Sequence, residues 1–435
     1  MQQVAQEKCS DLITGDYRDN KQSSRGGRKE KRSAKNAVNS LQAGIRDFIA
    51  QLPPSTYQDH GQDFETLASS LPKRFTIYEP MLLLPVNAFK VPPAWGALYA
   101  SLDDGQRHAL YELIVRPFRK MGVTHLAVNA PIALRDIHGN ENRMRSPVGL
   151  VPLYGDFGPL PSGNGEDVQP IDSDFQKAFW VRTVQNHGIN QTWAPLYTMF
   201  SRGNITEKIR ILGHGARFDG LDSSSLGEDV GDISIVDMYA GIGYFVFSYL
   251  RRGVKRVWGW EINGWSVEGL RRGCKENGWG CKVVRIGQYG DLDVAIPDLV
   301  ESLTDTDRAV IFHGDNKFAS EILHEIKTTM ERKGRWNRVR HVNLGLLPTS
   351  RPAWEGASRA VDLQKGGWVH VHENVDIREL DRKKEDIVSE LKRLRIEAHQ
   401  DQFPRIAGVA ECRHIEQVKT YAPGIMHCVF DVELS

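Results

Sequence analysis

The sequence predicts an α/β fold. A doubly wound, mostly parallel sheet with an antiparallel edge strand follows a smaller mixed α/β domain. Three observations carry this reading. From residue 233 onward, short apolar strands alternate with helical stretches, the pattern of a parallel sheet wrapped by helices. The first of these strands runs directly into a glycine turn, Gly241-Ile242-Gly243. The composition, 40% hydrophobic and 26% charged, excludes a fibrous, collagenous or wholly disordered chain.

The elements follow in order. Residues 1–55 read as a basic arm and one amphipathic helix. The arm, residues 18–35, holds eight Lys or Arg against two acids and almost nothing apolar. Val38, Leu41, Ile45, Phe48, Ile49 and Leu52 recur at helical spacing and stop at Pro53-Pro54. Residues 56–195 read as the mixed domain. FTIYEPMLLLPVNAF and THLAVNAPIAL are strand-rich, and DDGQRHALYELIVRPFRKM is a helix with Gly122 past its end. Residues 154–174 are rich in Gly, Pro and acids and lack Lys and Arg, which marks a linker. A second acidic stretch without Lys or Arg covers 219–232.

Residues 196–435 read as the main α/β domain. SIVDMYA, VKRVWGWEI, AVIFHGD, HVNLGLL and GWVHVHENV are its strands, and GIMHCVFDVEL closes it as the antiparallel edge strand. Helices are expected in GYFVFSYLRR, ended by Gly253, and in WSVEGLRRGCKEN, ended by Gly278. Others are expected at 316–332, 354–364 and 381–394. Residues 281–307, including CKVVRI, read as an insertion before AVIFHGD.

Targeting signals are weak. Cys9, Cys274, Cys281, Cys412 and Cys428 are odd in number and contain no C-x-x-C pair, which fits a reducing compartment. The N-terminus lacks the apolar core of a secretory signal. The longest notable uncharged apolar stretch, Met238 to Leu250, falls short of the roughly 20 residues that span a bilayer. The expectation is a cytoplasmic protein without a membrane partner. The formal net charge of +1 says nothing about partners.

Open parallel sheets bind ligands outside the carboxyl ends of their strands. There the first strand presents Asp237, then Gly241 and Gly243, which admit a ligand where a side chain would clash. A dinucleotide fingerprint needs a third glycine at 246, and that residue is Val246. A strand, an acid and a G-x-G turn are the pattern of Rossmann-like class I S-adenosylmethionine (SAM) folds. Glu261 ends the second strand, where an acid can accept both hydroxyls of a ribose. Asp315 can accept from an adenine amine, and Asn316 can donate. Leu347-Pro348-Thr349-Ser350 replaces the acid or Asn followed by Pro-Pro-aromatic of exocyclic-amine methylation. No Cys nucleophile for pyrimidine C5 methylation stands there either. His370 and His372, alternating on a strand with Glu373 between them, suggest core or hydrogen-bonded residues rather than a metal pair. Upstream, Ser201 and Lys208 flank the Gly203-Asn204 turn within reach of a carboxylate or phosphate.

These residues resemble the tRNA wybutosine-synthesising protein 2 family, in its fungal type. The resemblance rests on FWVRTVQNHGINQTWAPLYTMFSRGNITEKIR, DMYAGIGYF, WGWEIN, HGDNK, NLGLLPTS and GGWVHVHENV, across residues 175–435. It implies a SAM-dependent tRNA aminocarboxypropyltransferase. The 3-amino-3-carboxypropyl group would move from SAM to C7 of 4-demethylwyosine at position 37 of tRNA(Phe), releasing 5′-methylthioadenosine. It implies SAM contacts at Ser201, Lys208, Glu261, Asp315 and Asn316, with Lys208 or Ser201 on the methionine end. Asp237 and Tyr244 would border the reacting groups by position. It implies no metal and no obligate protein partner. The alternative is a tRNA guanosine-37 N1-methyltransferase, against which LGLLPTS and MFSRGN weigh. Contact with the anticodon stem-loop is expected from Arg251, Arg252, Lys255 and Arg256, from Arg271, Arg272 and Lys275, and from Arg332, Lys333, Arg335, Arg338 and Arg340. Trp258, Trp260 and Trp336 would stack on bases.

Overall fold

The structure is a computed structural model and describes residues 39–58, 63–69, 71–129, 150–161, 169–185, 187–200, 204–399 and 409–435. The arm at 18–35 and Ser201 lie outside the described residues.

The chain begins with the expected amphipathic helix α1 (Ser40–Ile49), capped by the Asn39 side chain on Gln42 N. Its Leu41, Ile45, Phe48 and Ile49 are buried in the core of a small four-stranded sheet. That sheet runs β1 (Thr76–Tyr78), β2 (Met81–Leu84), β3 (His125–Val128) and β4 (Val151–Tyr154), in that spatial order. Helices α2 (Pro93–Ser101) and α3 (Asp104–Val115) complete its core through Trp95, Leu98, Leu110 and Ile114. The α3 start is fixed by a capping box between Asp103 and Gln106. A two-stranded hairpin, β5 (Val181–Gln185) and β6 (Ile189–Trp193), then leads toward the main sheet.

After helix α4 (Ile205–Ile211), eight strands form the main sheet. They are β7 (Ser234–Asp237), β8 (Arg256–Glu261), β9 (Gly280–Arg285), β10 (Asp307–His313), β11 (Val339–Leu344), β12 (Gly367–Asp376), β13 (Ala410–Ala422) and β14 (Ile425–Leu434). Their spatial order is β13-β14-β12-β11-β7-β8-β10-β9. The six strands from β12 to β9 are parallel, and β14 and β13 are antiparallel to their neighbours. Alternate residues serve the two faces. Ile235, Val257, Ala309 and Ile311 pack beneath helices α5 (Val246–Arg252) and α6 (Gly264–Glu276). Val236, Trp258, Val310 and Phe312 pack on the opposite face, with α7 (Ile296–Ser302), α8 (Ala319–Arg332), α9 (Trp354–Ala360) and α10 (Leu380–His399). Both faces are therefore buried, as a doubly wound sheet requires.

Two expectations are corrected. CKVVRI belongs to no insertion outside the sheet: as β9 it is the outermost parallel strand, paired with β10 from Gly280 to Arg285. Its half-polar, half-buried sequence is that of an edge. GIMHCVFDVEL is antiparallel but lies one strand in. The edge is β13, whose charged alternation, burying little, gave no apolar signal.

Candidate functional site

The site lies where β7, β8 and β10 end side by side. The β7 strand terminates in Asp237 and turns through Gly241 and Gly243, both with positive φ, +55° and +91°. A Cβ on Gly243 would stand 2.4 Å from the Phe247 ring. The turn is thus drawn tight against α5, with no room for a side chain at Gly243. Gly241 N donates to Glu261 Oε2 at 2.8 Å, joining the turn to the end of β8. The other carboxylate oxygen accepts from Asn263 N at 2.8 Å. The Glu261 side chain is thereby oriented at the end of β8.

Asp315 follows β10 and caps a short turn, accepting from Lys317 N at 3.0 Å. Asn316 donates its side-chain amide to Met238 O at 2.7 Å, which draws this loop against the β7 turn. Gly241, Glu261, Asp315 and Asn316 thus converge. Across the opening lies Gln169, whose amide oxygen meets His313 Nε2 at 3.0 Å and whose nitrogen donates to Ile262 O at 3.4 Å. Nothing in the sequence pattern singled out that strap.

Asp237 is fully buried. Its Oδ1 accepts from Asn343 Nδ2 and Tyr239 N, each at 3.1 Å. Its Oδ2 has no hydrogen-bond partner among the described residues. Burial pushes the carboxyl up to about 7, against the pull of Asn343 and Tyr239. Asn343, on the neighbouring strand β11, is the site residue that the sequence reading missed.

Tyr244 donates its hydroxyl to Met199 O at 2.5 Å. The Lys208 ammonium sits over its ring, 4.9 Å from the centroid, and 5.9 Å from that of Phe200. Lys208 is 1% exposed, and its Nζ has no hydrogen-bond partner among the described residues. Burial, with Lys419 nearby, lowers it to about 7. A buried cation without a hydrogen-bonded anion is costly. Beside a glycine turn, this one suits a ligand carboxylate. The fit to SAM rests on that cation, on the positive-φ glycine turn and on the oriented Glu261.

The neighbouring histidines are internal. His370 Nδ1 meets Asp431 at 2.6 Å, and His372 Nδ1 meets His427 Nε2 at 3.1 Å. Glu373 accepts from Thr349 Oγ1 and Ser350 N and pairs with Lys383, tying the Pro348-Thr349-Ser350 loop down. The RNA-contact reading is corrected for much of its residue set. Trp258 and Trp260 are core, 1% and 0% exposed. Arg256 binds the Asp307 and Thr304 carbonyls, Arg335 those of Val300 and Leu303, and Arg252 those of Leu221 and Leu212. Arg340 is buried with Glu228. Arg271 and Arg272 both pair with Glu268. Arg251, Lys275, Arg332 and Lys333 remain on the surface, with Lys333 paired to Glu301. Basic side chains near strand ends are as useful for tying loops as for meeting phosphate.

No family model matches the chain. The tRNA wybutosine-synthesizing protein 2 of Schizosaccharomyces pombe is 37% identical over 394 residues, which cover 90% of this chain and 78% of the relative. The protein of that name in Saccharomyces cerevisiae is 30% identical over 419 residues, 89% of this chain and 80% of its own. Among solved structures, the crystal structure of P. horikoshii TYW2 in complex with MeSAdo is 18% identical with a TM-score of 0.49, covering 91% of this chain and 99% of that one. On the two fungal relatives, matched over most of both lengths, the chain belongs to the tRNA wybutosine-synthesizing protein 2 family.

Proposed function

We propose that the cleft at the ends of β7, β8 and β10 is where this SAM-dependent tRNA-modifying transferase works. The reaction moves the 3-amino-3-carboxypropyl group of SAM to C7 of 4-demethylwyosine in wybutosine synthesis, with 5′-methylthioadenosine as the other product. The finer reading places that base at position 37, in the anticodon stem-loop of tRNA(Phe). SAM supplies a sulfonium with three alkyl groups, of which the one in line with the acceptor carbon is taken.

The chain's residues bind and orient. Lys208, with Ser201, holds the carboxylate of the methionine end. Glu261 accepts from the ribose hydroxyls, and Asp315 and Asn316 hold the adenine. Gly241 and Gly243 let the backbone approach. Asp237 and Tyr244 border the reacting groups, and Asp237, with its raised carboxyl, can hold a proton at neutral pH. The observation that carries this reading is the buried Lys208 ammonium, which has no hydrogen-bond partner among the described residues. It is a cation suited to the end of SAM that is transferred.

The test is the by-product. The protein is incubated with SAM and tRNA bearing 4-demethylwyosine, and the nucleoside product is identified. Methylthioadenosine is expected. S-adenosylhomocysteine would replace this reading with methylation, and neither product despite tight tRNA binding would replace it with a binding module.

A further inference from the structure

Helix α4 buries three charged side chains within four positions. Glu207, Lys208 and Arg210 are 0%, 1% and 0% exposed. Lys208 faces Tyr244, whereas the other two face the sheet. Arg210 uses all five of its N–H donors. Nε and Nη2 bond the two Glu207 oxygens at 2.8 and 2.7 Å. Nη1 and Nη2 bond the two Asp431 oxygens at 2.5 and 3.1 Å. Nη1 also donates to Arg217 O at 2.7 Å.

The chain of bonds continues across the sheet. Asp431 Oδ1 meets His370 Nδ1 at 2.6 Å, and His370 Nε2 meets His341 Nδ1 at 3.0 Å. His341 Nε2 meets Gly220 O at 2.7 Å. A carbonyl only accepts, so His341 Nε2 carries its hydrogen. Burial and the neighbouring His370 hold His341 well below the ordinary histidine range, so its Nδ1 is a lone pair. His370 therefore donates through Nε2, and its Nδ1 faces a carboxylate. Burial pushes the Glu207 carboxyl up to about 7, against the pull of Arg210. Burial alone would raise the Asp431 carboxyl, but His370 and Arg210 hold it well below the usual carboxylate range. Phe218 closes the assembly, lying against the Arg210 guanidinium at 4.7 Å and the His370 ring at 4.5 Å.

A buried cluster of charges is tolerable in a dry interior only when its members are hydrogen-bonded to one another, as these four are. Its neighbour Lys208 has the opposite tendency. A desolvated ammonium with no hydrogen-bond partner among the described residues favours any movement of its helix toward water. A seven-residue helix such as α4 cannot resist that movement by its own hydrogen bonds.

We propose that the Glu207–Arg210–Asp431–His370 quartet is a positioning brace: it clamps α4 to β14 and β12 so that the Lys208 ammonium stays buried over Tyr244, ready for the carboxylate of SAM. This rests on the reading of Lys208 as the anchor for that carboxylate.

The experiment compares two ligands on the full chain by calorimetry. SAM has the aminocarboxypropyl end, and 5′-methylthioadenosine lacks it. Asp431→Asn keeps the shape and removes one charge of the quartet. It should weaken SAM at least about tenfold and leave methylthioadenosine within about twofold, because the adenosine contacts lie on other elements. Equal weakening of both ligands would reduce the quartet to general core stability, and no weakening of either would remove the brace. Where Asp431→Asn fails to fold, Arg210→Lys keeps the charge but loses the five-donor fork, and the same comparison applies. Lys208→Met separates the two readings. If it leaves SAM affinity unchanged, the Lys208 anchor fails. If it weakens SAM while Asp431→Asn and Arg210→Lys do not, only the brace fails.

Discussion

A lysine held over two aromatic rings without a hydrogen-bond partner among the described residues costs stability. Lys208→Met should therefore stabilise the ligand-free protein, by about 1–3 kcal/mol, the cost of an unsatisfied buried polar group. The pH dependence gives the sign. Folded, the lysine titrates at about 7, and its ordinary value is 10.5. Between these values the unfolded chain holds a proton that the folded chain lacks, so the penalty grows as pH falls and is complete below about 7. Urea unfolding should show the gain from Lys208→Met largest near neutrality and shrinking toward high pH. A gain independent of pH would mean that the ammonium is not desolvated. Lys208 was legible as an anion-binding candidate because it follows a local turn signal. Arg210 was not, since its partner Asp431 lies 221 positions away and no sequence period connects them. Asn343 was hidden for the same reason: its role comes from strand pairing with Asp237.

At the scale of elements, the turn after β7 and the turn after α5 both use a glycine at positive φ, yet they serve different ends. Gly243 has φ +91° and the Phe247 ring within 2.4 Å of any added Cβ. Gly253 has φ +111° and open space around it. Gly243→Ala should cost about 1–3 kcal/mol through strain and also weaken SAM, because the displaced turn carries the Gly241–Glu261 bond. Gly253→Ala should lower thermal stability by a comparable backbone term while leaving SAM affinity unchanged. Equal effects on SAM from both would mean that the turn matters to folding alone. The strands and helices around these turns were readable because apolar periodicity and helix-ending glycines are local. β9 and β13 escaped because edge strands, half solvated, need no continuous apolar run. Trp258 and Trp260 were misplaced for the converse reason. Their basic neighbours suggested an exposed surface, whereas strand alternation turns both tryptophans into the core.

Across the whole molecule, the small sheet and the glycine turn after β7 share one aromatic core. Tyr78 packs on Trp193, Trp193 stacks on Phe200 at 4.1 Å, and Ile242 of the glycine turn joins them. Electrostatics is arranged differently. Many arginines around the eight-stranded sheet are engaged with carbonyls and acids of their own chain. The near-zero sum of charges therefore reflects internal pairing as much as segregation, and it moves the weight of the RNA argument to the basic arm. Its eight Lys or Arg against two acids stand in a stretch whose one apolar residue is Ala34. Neutralised phosphates release counterions, so log K for tRNA falls linearly with log[salt], by about 0.7–0.9 per phosphate contacted. Deleting residues 1–36 should weaken tRNA binding at low salt and make that slope shallower by about two units or more, while SAM affinity, measured without tRNA, stays unchanged. An identical slope with and without the arm would place the phosphate contacts on the folded domains instead, and Arg251, Lys275 and Arg332 would be the first positions to neutralise.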